Sequence, residues 1–283
     1  MWTRTGRWCT YDEPMTVKGA APVREAAFFD LDKTIIAKSS TLAFSRPFQA
    51  GGLITRKALL RSVYTQFVYV LGGADHDQME KMRQMLSELV TGWDVETVRE
   101  IVAETLHNIV DPLVYDEAVQ LIEQHHAEGR DVVIVSASGT EVVEPIGELL
   151  GADHVVATRM DVEDGRYTGH IAFYAYAEGK AVAIRELAET RGYDLSRCYA
   201  YSDSITDLPM LDVVGHPYAV NPDKELRRAA KERDWPVLVF TKPVALRTPL
   251  PPAGPTLAAL AVGGVVAIGG VLWAGARARR RAG

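Results

Sequence analysis

The chain has 283 residues, of which 47% are hydrophobic, so it is long enough for more than one ordinary globular domain. Its formal net charge of −6 argues against nucleic acid as a partner, because nucleic acids select basic surfaces. The cysteines Cys9 and Cys198 lie far apart, so no disulfide framework is expected. The histidines show no metal-ligand spacing, and we expect the pair His125-His126 to lie on a solvated helix face.

The first predicted element is a short buried strand over residues 26–29, preceded by a polar, irregular segment over residues 1–22. That segment lacks the apolar core of a secretory signal, and we expect it to be disordered. The strand is apolar, too short for a helix, and followed by Asp30 and Asp32. Ligands bind at such strand ends in α/β folds, where Asp30 could attack phosphorus and Asp32 could move a proton. Alternatively, the two carboxylates mark only the turn after a strand.

A long insert over residues 39–115 has the pattern of helices. The expected helices cover residues 42–48, 56–71, 76–90 and 95–109, with glycines between them. An insert of this kind between two strands is expected to form a cap that excludes water and selects the substrate. Arg46, beside Pro47 near the cap entrance, is a candidate contact for an anionic substrate. A solvated helix face is the alternative for Arg46.

The second predicted strand, over residues 132–135, ends in Ser136, and a helical pattern follows it. A hydroxyl and free backbone N–H groups at a helix start can bind phosphate, although Ser136 could also be a simple turn or N-cap residue. Further on, Lys180 lies near the start of another predicted helix. It could hold a phosphate near Asp30, or it could be an ordinary solvated lysine.

A third strand, over residues 198–201, ends beside Asp203 and Asp207. One of these could cap the next helix while the other is solvated. If Asp203 instead converges with Asp30 and Asp32, the like charges repel, by about 4 kcal/mol for a pair 4 Å apart at an effective dielectric of 20. A hard divalent cation with oxygen ligands removes this repulsion. The pattern therefore predicts Mg²⁺, which is bound by a few carboxylates, waters and a substrate phosphate.

This ordered set of motifs resembles the haloacid dehalogenase superfamily, and specifically its phosphoserine-phosphatase-like branch, from about residue 26 to residue 240. The resemblance implies a doubly wound, Rossmann-like α/β core with a parallel sheet over residues 23–38 and 116–242, and a helical cap over residues 39–115. Residues 155–171 resemble the β-hairpin insert of this branch, with Asp164-Gly165 at its turn.

The resemblance also implies roles for the acidic residues. Asp30 would be the nucleophile and Asp32 the general acid and base. Asp30, the backbone carbonyl of Asp32, and Asp203 would bind Mg²⁺, while Asp207 would orient the water shell of the metal.

Phosphate binding is implied by the resemblance for Ser136, Ala137 and Lys180. Substrate selection is implied near Ser39, where phosphoserine phosphatases carry a glutamate that binds the substrate ammonium group. The serine in this chain argues against phosphoserine as the substrate.

The C-terminal part differs in character from the core. Residues 243–256 form a proline-rich linker, residues 257–276 carry no charge, and residues 277–283 are a basic tail. The uncharged run has the length of a transmembrane helix, although a buried core helix is the alternative. We expect a single C-terminal membrane anchor with a catalytic domain in the cytoplasm, although the basic tail alone favours the opposite orientation.

The sequence as a whole therefore predicts a Mg²⁺-dependent phosphomonoester hydrolase that works through an aspartyl-phosphate. Its substrate is expected to be a small or lipid-derived phosphomonoester. Two alternatives are a phosphotransferase or phosphomutase that uses the same nucleophile, and a non-catalytic membrane-tethered scaffold.

Overall fold

A computed structural model of the chain describes residues 24–54, 84, 87–241 and 243. Within these residues the strands form one seven-stranded sheet with the order β4-β3-β2-β1-β5-β6-β7. The strands are β1 (Ala26–Asp30), β2 (Asp131–Gly139), β3 (His154–Glu163), β4 (Arg166–Phe173), β5 (Tyr199–Ser202), β6 (His216–Val220) and β7 (Val237–Leu238).

The helices are α1 (Ser40–Ala50), α2 (Val95–Val110), α3 (Asp116–Ala127), α4 (Thr140–Leu150), α5 (Glu178–Arg191), α6 (Leu208–Asp212) and α7 (Lys224–Glu232). Short 3₁₀ turns occur at Asp111–Leu113, Leu195–Arg197 and Ile205–Asp207.

Strand β1 lies at the centre of the sheet and is buried along its whole length. It pairs in parallel with β2 on one side and β5 on the other, so that the three strands end at one edge. Among the strands of the described residues, only β4 runs antiparallel to its neighbour, since it pairs with the second half of β3. The predicted α/β fold with a parallel sheet is therefore confirmed.

Helices pack on both faces of the sheet because successive side chains of a strand point to opposite sides. On one face, Phe28 and Val133 belong to a buried cluster with Ile184, Met210 and Leu226, which come from α5, α6 and α7. On the other face, the next residue, Phe29, packs its ring against a side chain of α3. This arrangement gives the doubly wound core expected from the sequence.

The predicted hairpin is also confirmed. Strands β3 and β4 are joined by Asp164 and Gly165, which both have positive φ, at 48° and 75°. Two positive φ angles in a two-residue turn favour an Asp-Gly sequence. Backbone hydrogen bonds from Gly92 to Tyr167 and from Tyr167 to Trp93 attach the hairpin to the segment before α2.

Part of the predicted helical insert lies within the described residues. The helices expected over residues 42–48 and 95–109 are present as α1 and α2, each slightly longer than predicted. Residues 84 and 87–90 are helical, as expected for the end of the helix over residues 76–90. The helix predicted over residues 56–71 lies outside the described part.

None of the helices in residues 24–54, 84, 87–241 and 243 is long and apolar enough to cross a membrane. The predicted membrane segment over residues 257–276, most of the linker before it, and the N-terminal segment 1–22 lie outside those residues.

The expectation that His125 is solvated is wrong, whereas its neighbour His126 is exposed as expected. His125 lies on the inner face of α3, with its Nε2 atom 2.8 Å from the Tyr201 hydroxyl. Arg130 donates from Nε to Nδ1 of His125 over 2.6 Å. Because Nδ1 accepts that bond, the proton of a neutral ring is on Nε2 and is donated to Tyr201. Burial, and then the charge of Arg130, lower the pKa of His125 to about 4.

Replacing His125 with phenylalanine tests this buried network, because the substitution keeps an aromatic ring against Phe29 and Tyr201. We expect the free energy of unfolding to fall by about 1–3 kcal/mol at neutral pH, since Tyr201 and Arg130 each lose a buried partner. Chemical denaturation monitored by circular dichroism measures this change. His126→Phe, on the exposed face of the same helix, is the control and should have little effect.

The pH dependence of the same variant gives a second readout. The pKa of His125 is about 4 in the folded protein, below its ordinary value of 6.5, so the unfolded chain binds the proton first as the pH falls. The contribution of His125 is therefore fully present above about pH 6.5 and is lost towards pH 4. The stability difference between the native protein and His125→Phe should narrow over that range. A constant difference would contradict a neutral His125.

Candidate active site

Asp30 is the last residue of β1, and its side chain is bound at both oxygens. Lys180 Nζ lies 2.7 Å from Oδ1, and the Thr34 hydroxyl donates to Oδ2 over 3.1 Å. Asp30 is only 6% exposed, while Thr34 and Lys180 are buried. The central strand therefore presents one oriented carboxylate at the edge of the sheet where parallel strands of α/β folds bind ligands.

Lys180 is held between two carboxylates. Its Nζ atom also lies 2.8 Å from Oδ2 of Asp207, which accepts a second hydrogen bond from the Ser202 hydroxyl over 2.7 Å. Burial alone would lower the pKa of Lys180, but the charges of Asp207 and Asp30 outweigh burial and raise it. Lys180 is therefore a fixed buried cation, and the alternative of a solvated surface lysine is excluded.

Lys180 does not fully neutralise the negative charge of the carboxylates around Asp30. Burial is the main factor that raises the pKa of Asp30 well above its ordinary value; Lys180 opposes the rise, whereas Asp207, Asp203 and Asp32 add to it. A carboxylate among other carboxylates is stabilised by a further positive charge, such as a metal ion.

Asp32 lies two residues beyond Asp30 and is held by hydrogen bonds from two directions. The backbone N–H of Ser40 donates to Oδ1 over 2.5 Å, and the Ser138 hydroxyl donates to Oδ2 over 3.3 Å. Ser40 is the first residue of α1, whereas Ser138 lies near the end of β2. Burial raises the pKa of Asp32, and the hydrogen bonds from Ser40 and Ser138 oppose that rise.

Asp203 follows β5 directly and is only 9% exposed. Within the described residues, its carboxylate makes no hydrogen bond or ion pair. The pKa of Asp203 is raised to about 7, mainly by burial. The positive charge of Lys33 opposes this rise, and the negative charge of Asp207 adds to it. A buried carboxylate without a hydrogen-bond donor suits a cation as its partner.

The oxygen-rich donor set fits Mg²⁺. In the described residues no three His, Cys, Asp or Glu side chains are grouped as a complete metal cage. Mg²⁺ does not need such a cage, because it retains several waters and is bound through one or two carboxylates and a substrate phosphate. Asp30, the backbone carbonyl of Asp32, and Asp203 are the residues that would hold it.

The predicted phosphate-binding segment lies at the end of β2. Asp30 pairs with Val135 of β2, so Ser136 lies one residue beyond the partner of Asp30. Ser136 is buried and its hydroxyl accepts from the Ser138 backbone N–H over 3.2 Å. The carbonyl of Ala137 accepts from the Thr158 hydroxyl over 2.8 Å. These bonds fix the backbone of the segment beside Asp30.

The two predicted specificity residues are less closely tied to the carboxylates. Ser39 is the N-cap residue of α1, and its side chain makes no capping hydrogen bond. Arg46 is exposed in the same helix, beside Pro47. No contact joins Arg46 to the carboxylates in the described part of the chain.

In the described part of the chain, hydroxyl residues that the sequence did not identify contact the predicted site, among them Thr34, Ser40, Ser138 and Ser202. Thr34 and Ser202 have a local signal, because each lies close to a predicted carboxylate, Thr34 four residues after Asp30 and Ser202 directly before Asp203. Ser40 and Ser138 are far apart in sequence and meet only in the fold, so no local pattern connects them.

The geometry agrees with comparisons to known proteins. A model of the haloacid dehalogenase-like hydrolase family matches residues 27–212. The chain is 63% identical over 262 residues to "Inhibition of morphological differentiation protein" from Streptomyces azureus, covering 90% of this chain and 95% of that protein. It is 62% identical over 256 residues to a probable phosphatase from Mycobacterium tuberculosis (strain ATCC 25618 / H37Rv), covering 90% of this chain and 88% of that protein.

A solved structure also matches the fold. It is a protein of unknown function from Bordetella pertussis Tohama I, with a TM-score of 0.68 and 28% sequence identity, covering 76% of this chain and 98% of that one.

The family match extends over most of the chain and contains the strand-end carboxylates, Ser136 and Lys180. The parallel sheet and the predicted hairpin are both present. The chain therefore belongs to the haloacid dehalogenase-like hydrolase family, in its phosphoserine-phosphatase-like branch, and is a phosphatase of that family.

Proposed function

We propose that the protein is a Mg²⁺-dependent phosphomonoester hydrolase that works through an aspartyl-phosphate on Asp30. The observation that carries the proposal is the buried Asp30 carboxylate, oriented by Lys180 and Thr34 at the carboxyl end of the central strand. Such a carboxylate is held as a nucleophile should be, since its direction is fixed before the substrate arrives.

The reaction has two half-reactions. In the first, an oxygen of Asp30 bonds to phosphorus, the ester P–O bond breaks, and Asp32 gives its proton to the leaving oxygen. In the second, water attacks phosphorus, Asp32 takes the proton of the water, and the bond to Asp30 breaks to release phosphate. Ser136, the Ala137 backbone and Lys180 bind the equatorial oxygens in both steps. Bound Mg²⁺ would neutralise charge on the transferring group.

The substrate we propose is a small or lipid-derived phosphomonoester. The uncharged Ser39 at the start of α1 offers no counter-charge to an ammonium group, which argues against phosphoserine. The lipid-derived class is suggested by the uncharged run over residues 257–276.

The test is phosphate release by the full chain from a panel of soluble and lipid phosphomonoesters, with product analysis. Metal-dependent release of free phosphate supports the hydrolase. Transfer to an acceptor other than water would identify a phosphotransferase instead. A preference for soluble esters, with lysophosphatidate and phosphatidylglycerophosphate left untouched, would remove the lipid-derived class.

Metal dependence gives a separate prediction centred on Asp203. Chelation with EDTA should abolish activity, and Mg²⁺ should restore it. Asp203→Asn should raise the Mg²⁺ concentration needed for half-maximal activity by about 10–100-fold, because one anionic ligand becomes neutral. Activity measured across a Mg²⁺ titration gives this value.

Asp161→Asn, in which an exposed carboxylate is changed, is the matched control for this titration. Its Mg²⁺ requirement should equal that of the native protein. Full activity of the native protein in EDTA would contradict the proposed metal.

A further inference from the structure

Asp32, the general acid and base of the proposed reaction, is contacted by residues for which the sequence predicted no role. We propose that Ser138, supported by Ser40, is a positioning residue that fixes the Asp32 carboxyl for proton transfer. This inference rests on the proposed phosphatase mechanism and deepens it.

The two oxygens of Asp32 are bound by different kinds of donor. Oδ1 lies 2.5 Å from the backbone nitrogen of Ser40, which can only donate. Oδ2 lies 3.3 Å from the hydroxyl of Ser138, which can donate or accept. Because Oδ1 must remain an acceptor, the proton that Asp32 transfers is carried by Oδ2. The Ser138 hydroxyl is therefore on the oxygen that does the chemistry.

A hydroxyl at this position can serve both halves of the reaction. It donates to Oδ2 when Asp32 is a carboxylate, and it can still donate to a lone pair of Oδ2 when Asp32 is a carboxylic acid, which leaves the acid proton free for the leaving oxygen. An alanine could do neither. The contact therefore holds the side chain in one orientation while its proton leaves and returns.

Ser138 is itself held by a second hydroxyl. Its Oγ atom lies 2.8 Å from Oγ of Ser40, which is buried, and Ser138 is only 9% exposed. A hydroxyl has one proton to donate, so when Ser138 donates to Asp32, Ser40 donates to Ser138. The backbone N–H of Ser138 also donates to Ser136 Oγ over 3.2 Å. The chain of bonds thus connects Asp32 to the segment proposed to bind phosphate.

The same contacts anchor the first turn of α1. Ser39, the N-cap residue, provides no side-chain capping bond, and the Asp32 carboxylate accepts from the N–H of the first helical residue instead. A carboxylate at a helix N-terminus is also favoured by the helix dipole. Asp32 is consequently fixed between the start of the predicted cap and the end of β2.

The expected consequence depends on the leaving group. When the ester bond breaks, the electron pair stays on the leaving oxygen, and the Asp32 proton forms a new O–H bond there. A basic leaving group needs that proton more than a weakly basic one does. A misplaced Asp32 should therefore slow hydrolysis of phenyl phosphate more than hydrolysis of p-nitrophenyl phosphate, although the two esters are similar in shape.

The experiment measures kcat/KM of the full chain for these two esters in the presence of Mg²⁺. This parameter reports the steps up to loss of the leaving group, so slow hydrolysis of the aspartyl-phosphate does not obscure it. In Ser138→Ala, kcat/KM for phenyl phosphate should fall by about tenfold or more, and that for p-nitrophenyl phosphate by about threefold at most. Ser40→Ala, which keeps the backbone N–H, should change the ratio in the same direction but less.

Two further variants distinguish the loss of the contact that positions Asp32 from general damage to the protein. Ser138→Thr retains the hydroxyl and should keep the native ratio of the two kcat/KM values. Ser45→Ala removes a hydroxyl that bonds within α1 to the carbonyl of Leu42, and it should leave both values unchanged.

Each possible result supports or contradicts the positioning role of Ser138. Equal losses on both esters, or no loss, in Ser138→Ala would overturn the positioning role while leaving the phosphatase proposal intact. If Ser138→Ala does not fold, an unchanged ratio in Ser40→Ala would overturn it. Failure of the native protein to release phosphate from these two esters and from every ester of the panel, or full activity in Asp30→Asn, would overturn the proposed function and this inference with it.

Discussion

Replacing Asp30 with asparagine is expected to reduce the rate of phosphate release by about 10⁴-fold or more, the scale of loss seen when a covalent nucleophile is removed. The amide is uncharged and a poor nucleophile, so no acyl-phosphate can form. Steady-state phosphate release measures the loss. Acid quenching followed by mass spectrometry of the intact protein should detect a phosphorylated species in the native protein and none in the variant.

The fold should tolerate this change. The amide oxygen of the substituted side chain can still accept from Lys180 or Thr34, and Lys180 keeps Asp207 as an anionic partner. Asp30→Glu is the control for charge: it retains the carboxylate but displaces it by one methylene, and we expect it to be nearly as inactive. Activity in Asp30→Glu close to the native value would show that orientation at this position is unimportant. Substantial activity in Asp30→Asn would rule out the aspartyl-phosphate.

The part of the site that the sequence predicts consists of residues with strong local signals. Asp30 and Asp203 lie at the ends of short apolar strands, and the parallel topology brings those ends to one edge. Lys180 follows from its place at a helix start. In each case a regular element fixes where the side chain lies, and the ordered set of motifs, rather than any one of them, predicts its role.

The part that the sequence does not predict depends on contacts across the fold. Ser138 reaches Asp32 across 106 positions of sequence, and Tyr201 reaches His125 across 76. On sequence alone, His125 in a polar stretch of helix resembles a solvated residue. Its burial follows from the way α3 packs against Phe29 of β1 and Tyr199 of β5. Neither contact leaves a pattern in the neighbouring residues.

Replacing Lys180 with methionine is expected to lower both stability and activity, and the two losses have separate causes. The substitution preserves much of the side-chain volume but leaves Asp30 and Asp207 buried without their shared cation. Breaking a buried ion pair by removing one partner costs about 3–5 kcal/mol, because the remaining charge is uncompensated. Chemical denaturation should show a loss of this size. Arg185→Met, which breaks an exposed ion pair with Glu178 in the same helix, should cost at most about 1 kcal/mol.

The double variant Lys180→Met/Asp207→Asn separates structure from catalysis. Removing the charge of Asp207 together with that of Lys180 relieves the repulsion between the two carboxylates, so part of the lost stability should return. Activity should not return, since Lys180, the cation proposed to bind the transferring phosphoryl group, is still missing. If activity recovered along with stability, Lys180 would have only a structural role. If it did not, although Asp207→Asn alone retained activity, the same ammonium group would both balance the buried carboxylates in the resting enzyme and stabilise the phosphoryl group during transfer.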